Sequence, residues 1–436
     1  HVIELMKPEA VLTNDAFAPT VRAACDPKST RVLDEARLPA TTAFAPHAWE
    51  EVDAREVAIV QHSSGSTGLQ KGVALTHEMV RRQCQVYARA IGVDAATDRV
   101  CSWLPLYHDM GLFTTWLMPL LEGIRVSALD PFDWVQDPIS LLRLISERAG
   151  TLVWQPTFAY NLLAMRVRDD DLPGVRLDSM RGFSNCSEPV RAQSHRVFLE
   201  RFRAHGLREE ALWVCYAMAE NAFAVTSSGE PRPATRVLRV DPTALSHGAI
   251  EPAVATGPAT EVVSCGVPLP ECELRVVDER RGPVPDRRVG EVALRSPFAL
   301  DGYYHNDEAT RLAIDAERFY YTGDLGFLDE GHLYITGRKK DLLIVGGRNF
   351  YPQDIERVCD TCPEAVPGRS VAIGVADEAT GTERIIVLVE SARAGDATAR
   401  RALSVAVRLK VIEELDCQVS EVHVVPHMWL LKTTSG

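Results

Sequence analysis

Apolar and polar positions along the chain follow two periods in turn. Short apolar runs at Val57–Val60, Val73–Leu75 and Leu152–Trp154 have the length of buried strands. Between them the spacing becomes helical. After Thr76, a hydroxyl residue suited to an N-cap, Met79, Val80, Val86, Tyr87 and Ile91 share one helix face. Leu141–Arg148 and Arg191–His205 read as further helices. This alternation predicts an α/β protein with helices packed on a sheet. From about Ser264 the texture changes to short alternating segments, Glu273–Val277, Glu291–Arg295 and His332–Thr336, which predict a β-rich subdomain. A second unit follows from about Arg338, with strand-like runs at Ser370–Val375 and Arg384–Glu390 and a helical stretch at Ala399–Leu415. Ser227–Val263, rich in Pro, Ala and Thr, reads as a long loop-like insertion.

Length and composition narrow the function classes. The 436 residues are 46% hydrophobic and 25% charged, which suits a globular protein of more than one domain. A formal charge of −13 argues against a general nucleic-acid binder, which needs a basic footprint. No apolar run has the length of a transmembrane helix, so no membrane association is expected. The ten cysteines are scattered, and the lone Cys359/Cys362 pair leaves a zinc site open. Reduced thiols in a cytoplasmic protein are the simpler reading. The chain opens on His1 and closes on Ser435-Gly436 without a helix stop, so both ends are expected to be cut.

The first candidate for chemistry is Ser63-Ser64-Gly65-Ser66-Thr67-Gly68-Leu69-Gln70-Lys71-Gly72. Its glycines let the backbone approach an anion, its hydroxyls and amides donate to phosphate oxygens, and Lys71 adds a point charge. The spacing is not that of a Walker A loop, and a flexible turn between two strands would look similar. Three more segments matter. Tyr321-Thr322-Gly323-Asp324 puts a carboxylate after a turn, where it can accept both hydroxyls of a ribose. Gly337-Arg338-Lys339-Lys340-Asp341 follows it, and Tyr216-Ala217-Met218-Ala219-Glu220 offers an aromatic face and an acid able to hold Mg²⁺. Taken singly, each is better read as a turn former, a solvated charge or a core tyrosine. Their order along one chain changes that balance.

Together these motifs resemble the acyl-adenylate-forming superfamily of acyl-CoA ligases, luciferases and peptide-synthetase adenylation domains, over about residues 57–436. Within it the chain looks most like the fatty acyl-AMP ligases. Leu106–Leu112, Gln155–Tyr160 and Gly346–Glu356 carry that likeness, and the long spacing from Tyr216 to Gly266 agrees with it. The resemblance implies a large N-terminal adenylation domain over residues 1–337, its β-rich subdomain at about 264–337, and a small mobile α+β lid over 338–436. It implies ATP and Mg²⁺ as cofactors. Ser63, Ser64, Gly65, Ser66, Thr67, Gly68 and Lys71 would bind phosphates, and Glu220 would hold the metal. Tyr216, with Ala217, Met218, Ser187 and Glu188, would lie at the adenine, and Asp324 with Arg338 at the ribose. His108 would line the junction of acyl and pantetheine channels, and Lys340 would be the hinge.

The product expected from the resemblance is an acyl-AMP, passed to the phosphopantetheine thiol of an acyl carrier protein in a polyketide or peptide pathway. A coenzyme A ligase, an amino-acid adenylating enzyme and, more remotely, a non-catalytic ligand-binding relative remain alternatives. Departures from the family's pattern are Cys186-Ser187-Glu188-Pro189 in place of Gly-Ala-Glu-Pro, and Ala217 in place of a glycine. Both are expected to narrow or reshape the acyl pocket. The family's catalytic lysine is expected directly after Gly436, Lys432 matching an earlier, non-catalytic one. An acidic carrier would suit the helix carrying Arg191, Arg196, Arg201, Arg203 and Arg208, unless those arginines form ion pairs such as one with Glu200.

Overall fold

Thr76 caps its helix as the spacing predicts: its hydroxyl accepts from the Met79 amide at 3.2 Å, and the helix runs His77–Ala90. It buries Met79, Val80, Cys84, Val86 and Tyr87. The computed structural model describes residues 6–34, 51–63, 71–229, 235–345, 348–377 and 382–431.

The largest sheet has seven strands. From one edge they are Val267–Pro268, Ala224–Ser227, Leu212–Ala217, Gly182–Asn185, Leu152–Gln155, Arg99–Ser102 and Arg125–Ala128. The strands from Leu212–Ala217 to Arg125–Ala128 are parallel, while Ala224–Ser227 runs antiparallel to its neighbours. Leu152–Gln155 is buried along its whole length, as a central parallel strand covered on both faces must be. The chain leaves Arg99–Ser102 for one edge, then returns to its other side at Leu152–Gln155. That reversal is a topological switch point, and ligands of open α/β sheets bind beyond the carboxyl ends of such strands. Residues 103–111, 156–158, 186–189 and 217–220 leave the sheet at those ends.

The predicted β-rich region is a four-stranded antiparallel sheet of Glu273–Val277, Gly290–Arg295, Tyr320–Asp329 and His332–Arg338. Ser227–Val263 differs from its reading as a loop. Its described part contains the antiparallel pair Val237–Val240 and Thr260–Val263 and a helix, Pro242–Ser246, capped by the Asp241 side chain. Val240, Leu245, Ile250 and Val262 form a small core with Leu325, Phe327, Tyr334 and Tyr351. The proline that suggested a loop occupies the first helical turn, where its missing N–H costs nothing.

Beyond Arg338 a separate core gathers Leu343, Ile355, Val358, Ile385, Val387, Val389, Leu403, Val407 and Val411. It lies between a three-stranded sheet, Ser370–Asp377, Thr382–Ser391 and Glu421–Pro426, and the helices Pro352–Asp360 and Ala397–Leu415. The last helix starts two residues before the predicted Ala399 because Asp396 caps it, accepting from the Thr398 and Ala399 amides. Cys359 and Cys362 belong to this core, and all ten cysteines of the chain are buried free thiols. No helix among the described residues is long and apolar enough to cross a membrane.

Candidate active site

Two half-buried carboxylates organise the ends of the strands. The first is Asp324, on the strand Tyr320–Asp329, which pairs directly with Arg338 on the neighbouring strand. The Arg338 Nε lies 3.2 Å from Asp324 Oδ1, and the Tyr216 hydroxyl donates to Oδ2 at 2.5 Å. Burial raises the Asp324 carboxyl above the usual range, against the lowering pull of Arg338 and the Tyr216 hydroxyl. The turn expected before Asp324 is instead an irregularity inside the strand Tyr320–Asp329, where the register with Gly290–Arg295 shifts; Gly323 takes φ 73° there, a left-handed value that suits glycine, and its amide donates to Glu291 at 3.1 Å. Lys339 holds the other oxygen of Glu291 at 2.9 Å. The sequence-predicted ribose pair and Tyr216 are therefore one hydrogen-bonded unit, pinned from behind.

The second carboxylate is Glu220, in the short turn after the strand Leu212–Ala217. The Tyr303 hydroxyl donates to its Oε1 at 3.2 Å and lies 3.2 Å from the Tyr320 hydroxyl. Burial pushes the Glu220 carboxyl up, and the charge of Asp109 adds to this, while the two phenols oppose it. No salt bridge reaches Glu220 among the described residues. Lys71 stands nearby, its Nζ 4.8 Å from the centre of the Tyr303 ring, at the rim of a cavity of about 320 Å³. Ser63 pairs with Lys71 across two antiparallel strands. Ser64, Gly65, Ser66, Thr67 and Gly68 lie outside the described residues, as do Lys432 and Gly436.

His108 Nδ1 lies 2.6 Å from Asp109 Oδ1, an ion pair that raises the imidazole above its ordinary value. Since Nδ1 carries the proton of that contact, the Met110 amide is satisfied by Asp109 Oδ1 at 2.7 Å. The segment is packed tightly: a Cβ on Gly111 would sit 2.1 Å from the Pro105 carbonyl oxygen. Ser187 Oγ approaches Met110 Sδ at 3.9 Å, which brings the turn of residues 186–189 onto this segment. Glu188 is engaged with the fold itself, its Oε2 accepting from the Phe158 amide at 2.9 Å near the start of the helix Thr157–Arg166.

The departures at glycine are accommodated without strain at the substituted positions. Cys186 is fully buried in the main core, and it is Ser187 that takes the left-handed conformation, at φ 72°. Ala217 ends a strand and Met218 is extended, at φ −158°. Lys340 stands in the turn Lys339–Asp341, its ammonium 3.9 Å from Asp341.

The arginine-rich helix is not the free basic face the sequence offered. Arg191 pairs with Asp360 at 2.8 Å, Arg196 with Glu261 at 2.7 Å and Arg201 with Asp169 at 2.6 Å. These partners come from other parts of the chain rather than from Glu200. Sequence reasoning missed Tyr303 and Tyr320. The only signal for Tyr303 was an aromatic pair, Tyr303-Tyr304, placed just before the helix cap Asn306.

Among the described residues no group of three or more His, Cys, Asp or Glu side chains could enclose a metal ion. One carboxylate completed by substrate phosphate oxygens is nonetheless a donor set that Mg²⁺ accepts, so Glu220 fits that ion.

The Tyr216–Asp324–Arg338 unit, Glu220 and Lys71 all stand at the ends of the strands, where an open α/β sheet binds its ligand. The sequence matches the AMP-binding enzyme family over residues 1–304, and the chain belongs to that family. It is 33% identical to a putative ligase, Rv1013, of Mycobacterium tuberculosis, over 100% of this chain and 79% of the relative. It is 34% identical to the medium-chain-fatty-acid–[acyl-carrier-protein] ligase JamA of Moorena producens, over 89% of this chain and 67% of the relative. Among solved structures it superposes on a fatty acyl-adenylate ligase, from work on the E. coli and L. pneumophila enzymes, with a TM-score of 0.91. That match has 33% identity and covers 100% of this chain and 78% of the other. The chain is thus an adenylate-forming ligase that activates an acid with ATP.

Proposed function

We propose that the acid is a fatty or related acyl acid, and that the acyl-AMP is passed to the phosphopantetheine thiol of an acyl carrier protein. The observation that carries the nucleotide half of this reading is the Tyr216–Asp324–Arg338 unit. It presents a half-buried carboxylate on two adjacent strands, with its charge held by Arg338, where two neutral hydroxyls can be received. The acyl and carrier half rests on the likeness to JamA and to the fatty acyl-adenylate ligases.

In this reading the substrate carboxylate attacks the α-phosphorus of ATP in line, and the bond to pyrophosphate breaks. Asp324 and Arg338 fix the ribose, Tyr216 lies against the adenine beside Ala217, Met218 and the turn of Ser187 and Glu188, and Lys71 with the loop from Ser63 receives the outer phosphates. Mg²⁺, held by Glu220, supplies charge neutralisation to the phosphates when bound. His108, oriented by Asp109, faces the acyl and pantetheine path. The unit from Arg338 onward acts as the lid, turning about Lys340 between adenylation and thiol transfer, and the enzyme works in the cytoplasm.

ATP–pyrophosphate exchange across fatty, aryl and amino acids of graded length tests the substrate class. Exchange supported by fatty acids is the expected result, with the optimum below long chains if Cys186 and Ser187 shorten the pocket. Exchange with amino acids alone would overturn the fatty-acid reading. Transfer of the acyl group to coenzyme A in preference to a holo carrier protein would make the chain an acyl-CoA ligase.

A further inference from the structure

Glu220 and Lys71 lie far apart in sequence and serve different parts of the nucleotide in the reading above, yet one side chain touches both. The Tyr303 ring lies under the Lys71 ammonium at 4.8 Å, and its hydroxyl donates to Glu220 Oε1 at 3.2 Å. Its own backbone is fixed to the same two places. Tyr303 bridges Val73 in antiparallel fashion, and the Tyr304 amide donates to the Gly72 carbonyl at 2.7 Å. The Leu300 amide donates to the Glu220 carbonyl at 2.8 Å. Gly72 permits the approach, since a Cβ there would lie 3.0 Å from Val60 Cγ1 and 3.2 Å from Tyr304 Cβ. On the far side the Thr310 hydroxyl accepts from the Tyr303 amide at 2.9 Å.

We propose that Tyr303 is a positioning residue that couples the metal-holding carboxylate to the phosphate-loop lysine. Its hydroxyl aims the Glu220 carboxylate through Oε1, while its ring face sets the lysine. A cation over a tyrosine face and a hydrogen bond to a charged acceptor are independent interactions, so separate substitutions can remove them. This inference rests on Glu220 being the metal ligand.

The test measures affinity for α,β-methylene-ATP, which cannot be cleaved, by calorimetry in Mn²⁺ and again in EDTA. Tyr303→Phe keeps the ring and loses the hydroxyl. It is expected to lose about tenfold or more of the metal-dependent gain in affinity while binding the nucleotide in EDTA as the parent does. Tyr303→Leu loses the ring as well, and is expected to weaken binding in EDTA by roughly threefold in addition. A Tyr303→Phe variant with an unchanged metal-dependent gain, alongside a Glu220→Gln variant that loses it, overturns the coupling alone. If Glu220→Gln keeps the gain, the assignment of Glu220 as metal ligand fails, and the coupling fails with it. A Tyr303→Phe variant weakened equally with and without metal would mark the tyrosine as merely structural.

Discussion

Asp324 and Glu220 are both carboxylates half-buried from water, both bonded to a tyrosine hydroxyl, and both pushed up by burial. They differ in what balances their charge. Asp324 has a guanidinium 3.2 Å away, whereas no salt bridge reaches Glu220 among the described residues and Asp109 adds a like charge. A half-buried anion already neutralised by a fixed cation is suited to accept hydrogen bonds from neutral groups such as ribose hydroxyls. A half-buried anion with only phenols for company has charge left over, and that remainder is what a divalent ion can use. On the proposed reading, one chemical group serves two tasks, and a single neighbour separates them.

If that division is right, the two sites should break differently. Glu220→Gln keeps the shape and removes the charge. Its largest effect is expected on kcat, a fall of about 10²–10³ in pyrophosphate exchange at saturating ATP, because charge neutralisation matters most as pyrophosphate departs. Asp324→Asn should act on the ground state, raising KM for ATP by roughly 10- to 100-fold through hydrogen bonds to a charged acceptor. With 2′-deoxy-ATP that penalty should shrink, since one of the hydroxyls it receives is gone. A Glu220→Gln variant whose defect lies in KM alone, or an Asp324→Asn variant equally impaired with the deoxynucleotide, would dissolve the distinction.

The sequence revealed the two ends of this site unequally, for a physical reason. Asp324 is legible because its neighbours are local: a glycine at 323 where the strand slips register and a strand pair to Arg338 fourteen residues on. Lys71 is legible because glycine, hydroxyl and lysine residues cluster within ten positions. Tyr303 was invisible because its contact with Glu220 crosses 83 positions, and nothing local marks a core tyrosine as different from any other. The same holds for Arg191, which the sequence left open between a basic docking face and an ion-paired one, and whose partner Asp360 is 169 positions away. The fold was easiest to read where period and caps agreed, as at Thr76. It was misread at 227–263, where proline and small residues suggested a loop although Asp241 and Pro242 spell a helix start. Long-range pairing is set by topology, and a single sequence displays only the local half of it.

A smaller effect, on stability, sharpens the comparison without any substrate present. Burial places the folded-state pKa of Glu220 above its unfolded value of about 4.5, so the folded form gains most when this group is protonated. That contribution is complete below the unfolded value and is lost as pH rises through the raised folded one. Glutamine does not titrate, so in metal-free protein Glu220→Gln should melt close to the parent at pH 4 and above it, by roughly 2 °C, at pH 8. Asp324 is also raised, but Arg338 already offsets part of its cost, and Asp324→Asn leaves that guanidinium half in solvent rather than buried. Its gain at pH 8 should therefore be smaller than that of Glu220→Gln, or absent. Melting curves of both variants at the two pH values decide the matter, and equal gains would mean that Arg338 does not neutralise the ribose-side acid in the way the geometry indicates.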